Sequence, residues 1–349
     1  MVARRFVLAF VGMIAAVTVV AWVPRVLSPD RLDIATFIGL YTIVGVGLTL
    51  LMGFGGQVSL GQGGFFALGA YATGVLTVRA HWSAWLAVLA APLVAAAVGA
   101  LIGLPLLRLR GHHLAVATLA VAIIVFTLAN NLRDLTGGPV GLRIPRPHVG
   151  VGGPTVTPEQ VYALVWIVAF AGLLLAGNLV RSRPGRALRA LAQHEGAAES
   201  VGVNVPAYRL AVFALAAGFA GAGGGLYALY FRFLSPDSFK PALSILFLII
   251  VAVGGLGNIA GALIGAATIE ILTEVLKNLS TRPDMPARAP VVLQTMVYAL
   301  VLIAIMRFLP RGLMPAIGDG LRRLFARTPR EYPPASPSPT GTPASGSAD

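Results

Sequence analysis

The sequence predicts an all-α polytopic membrane protein with about ten transmembrane crossings, and at least eight. Three observations carry this prediction. Hydrophobic residues make up 57% of the 349 positions, and mean hydropathy is +0.83. Charged residues reach only 11%, against about 25% in soluble domains. Apolar stretches near the length needed to cross a bilayer, about 20 residues, recur along most of the chain.

The first stretch, 6–23, follows Arg4 and Arg5. It outlasts a signal-peptide core, and Trp22-Val-Pro-Arg25 stands where a small-residue cleavage site would be, so it reads as a retained span. Further crossings are expected at 34–52, 60–78, 84–106, 113–131, 160–180, 209–231, 243–256, 259–276 and 291–309. The pair 243–256 and 259–276 is short and Gly-rich, and reads either as full spans or as half-helices. Alternating from an inside start, both termini fall in the cytoplasm. Counted with the adjoining span ends, inside segments then hold fifteen Lys/Arg and five Asp/Glu, and outside segments eleven and eight. That asymmetry follows the positive-inside rule, and Trp22, Trp82 and Trp85 fall at outer ends as interfacial aromatics do. The outer loop 132–159 is long enough for a lid or a docking surface. The membrane region is expected to be 1–328. The Pro/Ser/Thr/Ala-rich stretch 329–349 is expected to be a disordered cytoplasmic tail.

Two Gly-rich interruptions break apolar sequence. The first is Gly53-Phe-Gly-Gly-Gln-Val-Ser-Leu-Gly-Gln-Gly-Gly64 and the second Gly254-Gly-Leu-Gly-Asn-Ile-Ala-Gly261. Gly56-Gln57-Val58-Ser59 and Gly257-Asn258-Ile259-Ala260 repeat one order: Gly, amide, aliphatic, small. Unwound backbone at membrane depth survives only where it is buried in protein or lines a cavity. Broken segments in corresponding halves point to a transport path. Close helix packing through small residues is the alternative reading. On the path reading, Gln57, Ser59, Gly61, Gly257 and Asn258 line it.

Several chemistries are excluded. The chain has no cysteine, hence no disulfide, thiolate metal site or Cys nucleophile. Its two lysines, Lys240 and Lys277, do not complete a Walker A frame, so it is no ATPase. The five histidines lack zinc-site spacing, and no metal site or catalytic residue is expected. His112-His113 beside Arg108 and Arg110 reads as a cationic interfacial anchor. Spans are nearly free of ionisable groups, which counts against an ion-coupled carrier. Glu270 and Glu274 share a helix face, lining a vestibule or facing water.

The most basic stretch begins Arg181-Ser-Arg-Pro-Gly-Arg-Ala-Leu-Arg189 and lies on the inside. Pro184-Gly185 opens an amphipathic helix, and Gly202, followed by Asn204 and Pro206, ends it. Its Ala- and Gly-rich face is too small for lipid insertion and suits close approach to another protein. A channel with no energy source of its own and a compact docking helix together imply a permease driven by a separate ATPase.

The chain resembles the permease subunits of branched-chain amino acid ABC transporters over about residues 35–310. Gly56-Gln-Val-Ser-Leu-Gly61 with Phe65-Phe66 and Gly69-Ala-Tyr71 is similar to one family signature. Leu107-Arg-Leu-Arg-Gly-His112 and Leu114-Ala-Val-Ala-Thr-Leu119 resemble a second, and Asn131 with Leu135-Thr136-Gly137-Gly138 and Gly141-Leu142 an outer-loop signature. The stretch 181–208, with Gly185, Arg186, Arg189, Glu195, Ala197, Ala198, Gly202 and Asn204, resembles the family's coupling loop, which contacts the ATPase. Ser235-Pro-Asp-Ser-Phe239 and Gly254-Gly-Leu-Gly257 complete the set. The sequence departs from the family at Gln62-Gly63, where His-Ala is common, and at His113, Ala122-Ile123 and Ala262.

The resemblance implies an all-helical fold with two related halves, set in a bacterial inner membrane. It implies partners: ABC ATPase subunits at the coupling loop, a second related permease subunit, and an extracytoplasmic substrate-binding protein at the outer loops. ATP and Mg2+ would reside on the ATPase, with no cofactor on this chain and no nucleic-acid role. The departures leave the substrate open between branched-chain amino acids and urea- or amide-type relatives. An ion-coupled carrier and a membrane-embedded enzyme are the alternatives from other classes.

Overall fold

The computed structural model describes residues 28–109, 111–147 and 155–280, and beyond these only 296–297, 299–300, 303, 307 and 312–314. The expected span 6–23, most of 291–309, the tail 329–349, and the positions of Trp22, Arg110 and His148 lie outside the described residues.

The chain is helical, as its apolar stretches require: in lipid, a helix satisfies every backbone group within its own segment. Helix α1 (Pro29–Thr49) starts on a proline and runs into a π-helical turn, Leu50–Phe54. An irregular segment follows, then α2 (Gln62–Val78). Helix α3 (Ala84–Leu106) is capped by Ser83, whose Oγ accepts from Leu86 N. Helix α4 (His112–Asn131) leads through the single turn α5 (Arg133–Thr136) to strand β1 (Leu142–Arg143). Helix α6 (Pro158–Arg181) begins with a capping box between Thr157 and Gln160. Two short helices follow, α7 (Arg183–Gln193) and α8 (Glu195–Ser200). Helix α9 (Val205–Phe231), strand β2 (Phe233–Leu234), α10 (Ala242–Gly254) and α11 (Ile259–Ser280) complete the described order.

Among the described residues, six helices are long and apolar enough to cross a membrane: Arg31–Phe54, Ala84–Leu106, His112–Asn131, Pro158–Arg181, Val205–Phe231 and Ile259–Asn278. The two Gly-rich stretches near the end of the chain differ from each other. Helix α10 has 13 residues, about 20 Å of rise, too short for a full crossing. Helix α11 has 22 and is long enough.

The long helix α9 lies between α2 and α3, and its small residues permit this. A Cβ at Gly221 would meet Ala91 O at 2.9 Å on α3, and one at Gly69 of α2 would strike the Gly221 backbone. Helices without a water-driven contact pack through such small-residue faces. Aromatic rings close the gaps: Tyr41 and Phe66 pack on Phe247 at centroid distances of 5.3 and 5.6 Å, joining α1, α2 and α10.

Helix ends sort into two sets. At one end, β1 and β2 pair antiparallel with Leu142 opposite Leu234, and Tyr230 OH donates to Asp33 Oδ1 at 2.7 Å. At the other lie both Gly-rich breaks, the α3–α4 turn and the α7–α8 pair. Strand β1 of the 132–159 loop is thus fastened to β2.

Candidate functional site

The end that carries α7 and α8 brings together the residues predicted for the path and for the basic loop. The first break turns at Gly56 (φ +64) and the second at Gly255 and Gly257 (φ +109 and +90). The breaks touch: a Cβ on Gly53 would lie 2.5 Å from Gly257 N and 2.9 Å from its Cα. In the second break, Asn258 Oδ1 accepts from Ala260 N at 3.1 Å and so caps the start of α11.

Three hydroxyls hold the first break in place. Thr118 Oγ1 accepts from Leu60 N (2.9 Å), Ser59 Oγ from Gly61 N (3.3 Å) and Ser244 Oγ from Gly63 N (3.0 Å). They satisfy donors that the irregular backbone would otherwise leave bare in an apolar setting. Gln57 Nε2 donates to Arg209 O at 3.2 Å, tying the break to the start of α9. Gln57, Ser59 and Gln62 are all buried.

The basic loop is two helices, not the one that its sequence predicts. His194 is extended (φ −148, ψ 103), which separates α7 from α8. The physical reason is packing. The break turns Ala198 onto Leu191 and Val205, forming a small core of the loop's own. It also lets Glu195 Oε2 accept from Arg209 Nη2 at 3.0 Å. Gly202 (φ +85) ends the second helix, with open space around it, and Asn204 Oδ1 caps α9 through Ala207 N.

Not every predicted loop residue points outward. Gly185 is buried where α7 crosses the end of α6, and a Cβ there would lie 2.5 Å from Val180 Cα. Arg189 Nη2 donates to Val180 O at 2.9 Å and Arg186 Nη1 to Arg181 O at 3.4 Å. Both arginines therefore cap open carbonyls at the end of α6. Ala197, Gly196 and Glu199 are exposed, and Ala198 is buried. The loop also reaches the break: a Cβ on Gly56 would lie 3.3 Å from Ala192 Cα. A cleft of about 660 Å³ opens beside it, lined by Arg108, Glu195, Glu199, Asn204, Arg209 and neighbouring apolar residues.

Thr136, Gly137 and Gly138 lie at the opposite end. Thr136 Oγ1 sits 2.7 Å from Ala129 O and accepts from Gly138 N at 3.2 Å. With positive φ at Gly137 and Gly138, this is a tight internal turn. What faces outward there is Val140, 84% exposed, and Phe233, 50% exposed. Arg143, Arg146 and Arg232 stand close by. Burial, then the neighbouring Arg146 and Arg143 charges, hold Arg232 below the usual arginine range. Among the described residues no carboxylate forms an ion pair with these three.

Glu270 and Glu274 are half-buried on α11, with Lys277 Nζ 3.7 Å from Glu274 Oε2. His112 and His113 are exposed at the start of α4, and no cluster of potential metal ligands occurs among the described residues.

Sequence reasoning missed Ser244 and Arg209 and met Thr118 only inside a family signature, because their roles depend on tertiary contacts. It met Gln62 only as a departure from a family pattern. Its signal was a lone amide between glycines in an apolar run.

Comparison with known proteins identifies the family. Residues 31–306 match the family described as branched-chain amino acid transport system / permease component. The high-affinity branched-chain amino acid transport system permease protein LivM of Salmonella typhimurium strain LT2 is 32% identical over 291 residues, covering 77% of this chain and 68% of that protein. The LivM protein of Escherichia coli strain K12 is 32% identical over 287 residues, covering 76% and 67%. No solved structure matches at a significant level. With most of its length matched, breaks and basic loop included, the chain belongs to the branched-chain amino acid transport system permease family.

Proposed function

We propose that this chain is the transmembrane subunit of an ATP-driven importer for branched-chain amino acids. It pairs with a second related permease subunit. Separate ATPase subunits, which hold ATP and Mg2+, engage the α7–α8 loop from the cytoplasm. An extracytoplasmic binding protein delivers substrate at the β1–β2 end. The chain itself performs no covalent chemistry and holds no cofactor.

One observation carries this reading: the basic loop and the first break touch at Ala192 and Gly56. The loop is also tied to two long helices, to α6 through Arg189 and to α9 through Glu195–Arg209. Leu191, Ala198 and Val205 pack together and so join α7 and α8 to the start of α9. Movement of the ATPase pair would thus reach both the helices and the broken backbone. Pumping requires that substrate affinity differ between the two resulting states.

The test is isolation of the complex from its native membrane in mild detergent. Recovery of an ATPase with a Walker motif, and binding-protein-dependent leucine uptake in proteoliposomes, are expected. Uptake driven by an ion gradient with this chain alone would replace the reading with a secondary carrier. Uptake of urea or short amides, and not leucine, would keep the mechanism and change the substrate.

A further inference from the structure

Buried polar side chains in proteins are paired, and each exception needs a reason. Among the described residues, Thr49, Tyr71 and Gln62 leave their side-chain polar atoms wholly unpartnered, and Gln62 alone of these leaves two. It is 1% exposed, and neither its Nε2 nor its Oε1 has a hydrogen-bond partner. Gln57, five positions earlier and 4% exposed, leaves its Oε1 unpartnered as well. The hydroxyls nearest in the chain and the fold do not serve Gln62. Ser59, Thr118 and Ser244 already accept from Gly61, Leu60 and Gly63 amides.

The setting isolates this amide. Gly61, Gly63 and Gly64 flank it, so Gln62 is the only side chain between Leu60 and Phe65. Those glycines let other helices close on either side. A Cβ would meet Thr118 O at 2.9 Å from Gly61, Ser244 N at 2.9 Å from Gly63 and Ala122 Cα at 2.8 Å from Gly64. The result is a shut seam with one polar group inside. The seam belongs to the break that touches the α7 loop at Ala192 and the second break at Gly257.

We propose that Gln62 is the polar contact of the translocation path, holding the ammonium and carboxylate of an α-amino acid when the Gly53–Gly61 break opens. This rests on the proposed importer function and names the substrate chemistry at its path. The amide suits the task. Its Oε1 accepts from an ammonium and its Nε2 donates to a carboxylate. Being neutral, it holds both ends of a zwitterion without trapping either, as passage through a path requires. When the seam is shut the amide is left without partners, and that state costs stability.

The experiment uses the assembled transporter in proteoliposomes, with radiolabelled leucine and the purified binding protein. Gln62→Leu is expected to assemble with the ATPase. Its thermal midpoint should be unchanged or raised, because an unpaired amide is replaced by an apolar group. Leucine uptake per ATP hydrolysed should fall by about tenfold or more. Gln62→Asn, which keeps the amide, should recover part of that loss. Uptake within about twofold of wild type for Gln62→Leu would overturn the assignment and leave an ordered water as the occupant. A lowered midpoint with equally poor uptake in both variants would also overturn it, by showing a structural amide. A wild-type complex that assembles but moves no leucine would instead sink the proposed substrate, and this assignment with it.

Discussion

Gly53 and Gly257, two hundred positions apart, meet backbone to backbone where the two Gly-rich breaks cross. A Cβ on Gly53 would lie 2.5 Å from Gly257 N, and backbone cannot step aside as a flexible side chain can. Gly53→Ala should therefore destabilise the protein by about 1–3 kcal/mol, an overpacking cost, and impair transport. Gly257→Ala tests the other half of the contact. Its Cβ would meet open space, so its cost is only that of φ +90, about 1 kcal/mol. Thermal midpoints of the two variants check the order. If Gly257→Ala proves the more damaging, contact between the breaks is not what fixes them.

The hydroxyls that hold the first break yield a second prediction. Ser244→Ala removes the acceptor for Gly63 N, and Thr118→Val the acceptor for Leu60 N. Each leaves a backbone donor unpaired in an apolar setting, at about 1–3 kcal/mol. The two contacts come from α10 and α4 but hold one short segment, so the double variant should depart from the sum of the single ones. Denaturation of both single variants and the double variant would show it. Near-zero cost for either would mean that water reaches the break in the closed state.

Much of this architecture is legible in the sequence, and the limits have physical causes. The 84–106 stretch matches α3 because Ser83 and the apolar run define its start locally. Glycine clusters alone do not mark the breaks, since Gly223-Gly224-Gly225 stays helical in α9; the amide beside each cluster, Gln57 and Asn258, is the legible signal. That α7 and α8 separate at His194 is not legible, since Leu191, Ala198, Val205 and Arg209 decide it from distant positions. Arg186 and Arg189 read as free charge on a basic loop, yet they bond to carbonyls at the end of α6. The sequence displays their charge but not their neighbour.

The half-buried pair Glu195–Arg209 joins α8 to α9 at 3.0 Å, and gives a third prediction. Glu195→Arg should reduce substrate-stimulated ATP hydrolysis several-fold while the ATPase still co-purifies. Adding Arg209→Glu restores a pair of the same two charges and should recover most of the loss. Such a cycle isolates the coupling between the two residues. Equal damage in the single and double variants would assign Glu195 to contact with the ATPase rather than to the link with α9.

At the opposite end, Arg143, Arg146 and Arg232 form a cationic patch beside exposed Val140 and Phe233. Arginine with exposed aromatic and aliphatic groups is the composition of a docking surface, and under the proposed orientation this one faces the binding protein. Three like charges also favour an acidic partner and a fast, salt-dependent encounter. Replacing Arg143 and Arg146 with Glu should raise the binding-protein concentration for half-maximal ATPase stimulation by about tenfold at low salt. The gap should narrow as ionic strength rises, because exposed charges are screened over about 8 Å at 0.15 M salt. Basal hydrolysis, driven from the other end, should not change. A salt-independent loss would point to misfolding of the β1–β2 pair, and no loss at all would place the docking surface elsewhere.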